Sequence, residues 1–418
     1  MRSNHYLFVF FLIIRLFTQF SPALELRTPV LISFPLLAFL VVYSINRGHG
    51  LIHKVLLTLP IYIIPFLNMI AANRASIPIV NLLYVLFQWF AWPLLGAFVI
   101  ENLTFRSQKI LLWGYLLCIL ITACTTIYGC TLFPGASRAM ANGDFAVNET
   151  GLVSIYRSMN IGNFQYIYTS VLIIPLILCL SDHYKRKIYY ILVALLIFTI
   201  YKTEYTTALL LSVISTLFLI LPISKNTQTA KKWLISILLI AVVSLPLIGE
   251  IMNSIASVIG SEQIAQRFSE LSVSLSGQQL NEDSDFGTRL FLWKKSIMTF
   301  CENFFTGIYF ITDINDMHQY IGGHSFILDS LARFGILGFL FIVWMFKRLY
   351  KIFILPYNKR PEYIYLLTVF LLNIIQCIIN TISIEFVFVF LIPLLMSVLN
   401  KGNYILSNRY SQQKLRNW

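Results

Sequence analysis

Apolar segments of membrane-spanning length follow one another along this chain, and a single polar stretch, 250–323, interrupts them for about seventy residues. A transmembrane helix needs about 20 mostly apolar residues. Hydrophobic residues make up 58% of the chain and charged residues only 12%, against roughly 25% charged in soluble domains. The pattern therefore predicts an all-α, polytopic membrane protein. Spans are expected near 5–21, 29–45, 55–72, 77–100, 110–130, 163–181, 187–201, 204–222, 233–250, 324–346, 361–380 and 383–400. That is about twelve helices, with eleven or thirteen also compatible with the short, tightly joined pair over 187–222. Three parts follow: N-terminal spans over 1–249 with an outer loop at 131–162, the large loop 250–323, and three C-terminal spans with a tail over 324–418.

The net charge of +13 is explained by where the basic residues fall. Most Lys and Arg residues lie in alternate connections: Arg47 and Lys54, Arg106 and Lys109, Lys185 to Lys187, Lys225 to Lys232, Lys347 to Arg360, and the tail. The other short connections hold only Arg27, Arg74, Arg138, Arg157 and Lys202. By the positive-inside rule both termini are expected in the cytoplasm, with 131–162 and 250–323 outside it. This topological role of the charge argues against a nucleic-acid partner. The N-terminal apolar stretch lacks a small-residue cleavage site and reads as a retained first helix. The six cysteines lie mostly in apolar segments without metal-ligand spacing, so they are expected as small buried hydrophobes.

Within the large loop, Ile264, Phe268, Leu271 and Leu275 have helical spacing, and Gly277–Gly287 reads as an acidic connector. A second helix is expected from Asp285–Thr288, with Arg289, Trp293, Ser296 and Phe300 on one face. Arg289 at that helix start offers a planar, permanently charged fork for diphosphate oxygens; the plain alternative is a surface ion pair with Asp285. Arg157 precedes an apolar span on the same side and is either a further phosphate contact or a snorkelling interfacial charge. His324, after Gly322-Gly323 at a helix mouth, titrates near neutrality and suits acid–base work; otherwise it is a helix-entry residue bonded to the loop. His318 looks more solvated. Asp329 and Arg333, four residues apart inside an apolar span, are expected to pair, with a phosphate role for Arg333 as the sharper reading. Gly335 and Gly338 are expected to permit close helix packing, Glu204 to balance Lys202, and Arg15 to snorkel or pair. Nucleotide-hydrolase, metalloprotease and serine-hydrolase signatures do not stand out.

Gly287-x-Arg289, Trp293, His324-Ser325 and Gly335-Ile336-Leu337-Gly338, preceded by Arg157 and Gly162-Asn163, resemble in order and spacing the O-antigen polymerase and ligase superfamily. Local similarity covers about 150–340, and the expected topology extends it along the chain. Glu204-Tyr205 stands where many members of that superfamily carry Ser-Arg, and Ser325 follows the histidine where ligases more often have Asn. The resemblance implies a GT-C-like, metal-independent membrane glycosyltransferase of the bacterial inner membrane, without cofactor. Its substrate would be undecaprenyl-diphosphate-linked oligosaccharide, handled beside membrane lipid, with a chain-length regulator and a flippase as partners. In that role His324 and Arg289 would be catalytic, and Arg289, Arg157 and Arg333 would hold the lipid diphosphate. An O-antigen ligase shares this chemistry. A lipid-linked oligosaccharide flippase is the transport alternative, although two similar halves are not visible. A structural scaffold is the third reading.

Overall fold

A computed structural model describes residues 2–22, 67, 92–142, 151–221, 269, 285–309, 317–380 and 386–400. The expected spans at 29–45, 55–72 and 233–250, most of 77–100, the helix at 263–275 and the acidic connector lie outside these residues. Among the described residues every regular element is helical. They are α1 (Arg2–Phe20), α2 (Phe105–Leu132), α3 (Ala136–Asn142), α4 (Leu152–Ser158), α5 (Phe164–Tyr184), α6 (Ile188–Lys202), α7 (Thr206–Ile220), α8 (Asp285–Glu302), α9 (Met317–Tyr320), α10 (Phe326–Leu349), α11 (Tyr363–Ile379) and α12 (Val387–Asn400). A further helical stretch covers 92–102.

Three helical runs are long and apolar enough to cross a membrane: Phe105–Leu132, Phe164–Tyr184 and Phe326–Tyr357. Their burial differs sharply. In the most apolar stretch of α5, 89% of residues are buried, against 50% in α2 and 44% in the α10 run. A helix apolar all round belongs inside a bundle, and α5 is that helix, packed on α6, α7 and α11. Helices α2 and α10 keep an exposed apolar side, with Trp113, Leu117 and Ile121 on one and Leu337, Phe339 and Leu340 on the other.

Contacts between helix ends define two faces. At one end His183 of α5 meets Glu362 at 3.9 Å, just before α11, and the hydroxyls of Tyr350 and Tyr363 are 2.9 Å apart. Arg106, Lys109, Lys185 to Lys187, and Lys347 to Arg360 lie at this end, at the starts or finishes of α2, α5, α6, α10 and α11. At the other end, Thr126 of α2 accepts from Gly162 N at 2.7 Å, Gln376 of α11 donates to Tyr168 O at 3.2 Å, and Phe326 N donates to Asn380 O at 2.9 Å. The basic end and the opposite end thus separate as the charge pattern expects. Arg138, Arg157 and His324 all belong to the second.

Several local expectations need correction. Of the two readings of Arg15, pairing fits: it is buried, with its guanidinium 4.9 Å from the centre of the Trp92 ring. Cys124 and Cys301 are exposed, whereas Cys118, Cys130, Cys179 and Cys377 are buried as expected. Among the described residues of 131–162, two short helices, α3 and α4, pack on each other.

The largest departure is in α10, which is not one continuous helix. Gly335 adopts φ 57°, ψ −141° and breaks it. A broken span exposes backbone groups that lipid cannot satisfy. Here residues 304–309 supply them: Ile308 N donates to Ala332 O at 3.1 Å, Tyr309 N to Arg333 O at 3.0 Å, and Ile336 N to Phe304 O at 2.7 Å. The approach requires glycine on both sides. A Cβ on Gly307 (φ 62°) would lie 2.2 Å from Arg333 O, and one on Gly335 would lie 2.6 Å from Phe304 O. Gly335 is therefore a helix break as well as a point of close backbone packing. Such a sparsely populated backbone conformation disfavours alanine by about 1–3 kcal/mol, and the backbone clash adds to it. Gly335→Ala and Gly307→Ala should each lower the thermal unfolding midpoint of the detergent-solubilised protein. The double variant should lose less than the sum, because both substitutions break one contact.

Candidate functional site

The site is assembled at the mouth of α10. Ser325 caps that helix, its hydroxyl accepting from Leu328 N at 3.1 Å and lying 3.5 Å from Cys377 O on α11. One turn into the helix, the Asp329 side chain is buried at 3% exposure. Its Oδ2 accepts from Ser325 N at 3.1 Å, and its Oδ1 accepts from the Ser296 hydroxyl of α8 at 2.7 Å. Ser296 Oγ in turn accepts from Gly322 N at 2.9 Å. Thr299, three residues along α8, donates to Tyr320 O at 2.6 Å. Through these bonds α8 grips the 320–325 loop and the first turn of α10 together.

The glycines before His324 follow from this closeness. A Cβ at Gly322 would come within 2.2 Å of Leu292 O, and Gly323 has φ 75°. His324 is left exposed at the edge of the site. Partial burial and the positive charge of Arg289 lower its pKa from the usual histidine value, while the Asp329 carboxylate pulls the other way. The imidazole is consequently neutral at pH 7 and able to accept a proton.

Of the residues expected from sequence, the structure brings Arg289, His324, Asp329 and Arg333 into one electrostatic group. Arg289 acts on His324, and Asp329 acts on both His324 and Arg333. The face expected on α8 is present: Ser296 is buried, Trp293 and Phe300 partly so, and Arg289 lies one turn before Trp293. The Trp293 indole N–H is buried without an acceptor among the described residues. The hydrogen bonds of Asp329 go to Ser296 and Ser325, a use of the carboxylate that its spacing from Arg333 did not announce. Arg157 is half-buried on α4, which packs on α3, in the same segment as Asn160 and Gly162. The side chain of His318 lies outside the described residues.

Residues that sequence reasoning passed over are Thr299, Gly307 and the carbonyl of Phe304. Thr299 lies three residues beyond Ser296 on the same helix side, a signal that was available. Gly307 has no local pattern, because its need for glycine comes from the distant backbone of Arg333 and Phe334. Among the described residues, no three His, Cys, Asp or Glu side chains converge as metal ligands. Comparison with protein-family models and with characterised proteins finds no match to this chain.

The electrostatics give a signed expectation. Arg289→Ala should raise the His324 pKa by removing a like charge, and Asp329→Asn should lower it by removing the opposite one. Histidine proton resonances followed through a pH titration in detergent micelles would read both shifts. Equal values in wild type and both variants would show that His324 is insulated from its neighbours.

Proposed function

We propose that the chain is a membrane glycosyltransferase that joins undecaprenyl-diphosphate-linked oligosaccharide repeat units, an O-antigen or capsular polysaccharide polymerase. The observation that carries this reading is the grouping of Arg289, His324 and Arg333 around a carboxylate already engaged by Ser296 and Ser325. With Asp329 tied inward, the balance of the site is cationic, which suits a diphosphate. The neutral imidazole at its edge suits a hydroxyl nucleophile. The order of Arg289, Trp293, His324-Ser325 and Gly335–Gly338, which resembles the O-antigen polymerase and ligase superfamily, supports the same substrate class.

In this mechanism the acceptor hydroxyl attacks the anomeric carbon of the donor sugar, and its proton passes to His324. The bond between that carbon and the diphosphate oxygen breaks, and the electron pair leaves on the diphosphate. Fixed guanidinium groups stabilise the developing charge without reorganisation. Arg289 is the first of these, with Arg333 and, from the separate 151–163 segment, Arg157 as further cations. The unpaired Trp293 indole N–H, on the Arg289 face of α8, is an additional donor for the same oxygens. The proposed setting is the outer leaflet side of the bacterial cytoplasmic membrane, with about twelve spans and both termini inside.

Arg289→Ala and His324→Ala, produced at wild-type levels in a polymerase-null strain, should leave core bearing a single repeat unit instead of long-chain polysaccharide. Restoration of long chains by both variants would falsify the assignment. Bare core in cells lacking the protein would instead identify a ligase. A loss of about 100-fold or more in rate is expected for His324→Ala in a purified extension assay.

Orientation has its own test. Single cysteines at Ser158 and Lys187, in an otherwise cysteine-free protein, should react differently with a membrane-impermeant maleimide in intact spheroplasts. Labelling at 158 and protection at 187 are expected; the reverse pattern would invert the topology.

A further inference from the structure

A second constellation occupies the same face of the bundle, away from Arg289 and His324. The turn between α6 and α7 places Glu204 and Tyr205 beside α3. The Tyr205 hydroxyl donates to Ser137 O at 3.2 Å, and Ser137 Oγ donates to Gly162 O at 2.5 Å. Arg138, the next residue on α3, is half-buried within electrostatic reach of Glu204, Tyr205 and Tyr168. Three rings close together behind it. Phe164 lies 4.7 Å from Tyr168 and 5.8 Å from Tyr205, and the two tyrosine rings are 6.1 Å apart. Both tyrosines are buried, whereas Phe164 keeps partial exposure, as do Arg138 and Glu204.

The backbone at Glu204 is strained. It has φ 61° at the position just past the end of α6, where glycine is the usual occupant. Lys185, at the end of α5, takes the same left-handed helix-end conformation, and Asn160 is of a type that tolerates this region.

We propose that Arg138, Glu204 and the ring of Phe164 form a saccharide-binding subsite, which takes the hydroxyl-bearing rings of the substrate rather than its phosphates. Opposite charges side by side distinguish it from the Arg289 site. A carboxylate there repels phosphate, yet accepts hydroxyl protons, while a guanidinium donates N–H groups in one plane; Glu204 Oε2 is itself buried, which leaves the other oxygen to face a ligand. A partly exposed aromatic ring beside them offers the apolar surface that the C–H face of a sugar covers. Lys202, two residues before Glu204, has its ammonium 5.8 Å from the centre of the Phe198 ring.

The two sites are joined through the packed helix ends. Tyr168 O accepts from Gln376, and the neighbouring Cys377 O is the carbonyl 3.5 Å from Ser325 Oγ. A lipid-linked oligosaccharide lying across this face would present diphosphate to Arg289 and sugars to Glu204. The inference rests on the polysaccharide reading of this face, and its test separates the two.

The probes are a phosphate-free oligosaccharide repeat, released by mild acid from the polysaccharide of the strain that makes this protein, and inorganic pyrophosphate. Binding of each to the full-length protein in detergent is measured by calorimetry. Glu204→Gln and Arg138→Gln should weaken oligosaccharide binding tenfold or more and leave pyrophosphate binding unchanged, whereas Arg289→Ala should do the opposite. Glu204→Gly guards against a folding artefact: it relieves the strained turn, so its unfolding midpoint should stay level or rise while oligosaccharide binding falls. Wild-type oligosaccharide affinity in the Glu204 and Arg138 variants would overturn the subsite, as would a parallel loss of pyrophosphate. So would a wild-type protein that binds pyrophosphate but not the oligosaccharide. If Arg289→Ala and His324→Ala restore polymer while Glu204→Gln still weakens oligosaccharide binding, the transferase assignment falls and the subsite stands.

Discussion

The Asp329 carboxylate is the point on which the outer architecture depends. It is buried near the start of an apolar helix, where an ion without compensation is strongly unfavourable. Two donors compensate it, the Ser296 hydroxyl and the Ser325 amide, and they come from different parts of the chain. Satisfying this one charge therefore fixes where α8 lies against α10 and where the glycine loop runs between them. Hydrogen bonds to a charged group contribute about 1.5–3 kcal/mol each, enough to hold a helix that has little of its own length buried. The same carboxylate supports positive charge on its neighbours, so a structural clamp and an electrostatic setting are one feature.

Electrostatics then divides the face. Around His324, Arg289 and the Asp329 carboxylate act in opposite senses, and that carboxylate also acts on Arg333. Near Phe164, Arg138 lies within electrostatic reach of Glu204. Polar groups in these two places share one helix-end surface but favour different ligand chemistry. That division would not arise from the total charge of the chain.

Much of this was legible in the residues. Long apolar runs set the helices over 105–132 and 164–184, because membrane-length hydrophobicity leaves few other solutions. The i, i+4, i+7 spacing of Arg289, Trp293 and Ser296 showed a common face, and His324 after two glycines showed a helix mouth. What escaped was non-local. The action of Asp329 on Arg333 was visible as four-residue spacing, but its bond to Ser296, 33 residues away, was not. Gly335 looked like a packing residue because glycine in an apolar helix usually is one, and only the backbone of 304–309 reveals a break. Arg138 read as one more loop charge, since nothing local ties it to a turn that lies past two further helices.

The break at Gly335 bears on how the protein is made. Its carbonyls at Ala332 and Arg333 are completed by amides of Ile308 and Tyr309, which precede them in the chain. Synthesis thus delivers the complementary strand-like piece before the discontinuous span leaves the ribosome. An insertion apparatus that releases Phe326–Tyr357 sideways into lipid need never expose its open backbone, provided the earlier segment waits at the membrane boundary. Biogenesis in this region is a matter of sequence order as much as of hydrophobicity, and transposing the two segments would leave the same contacts without a workable route to them.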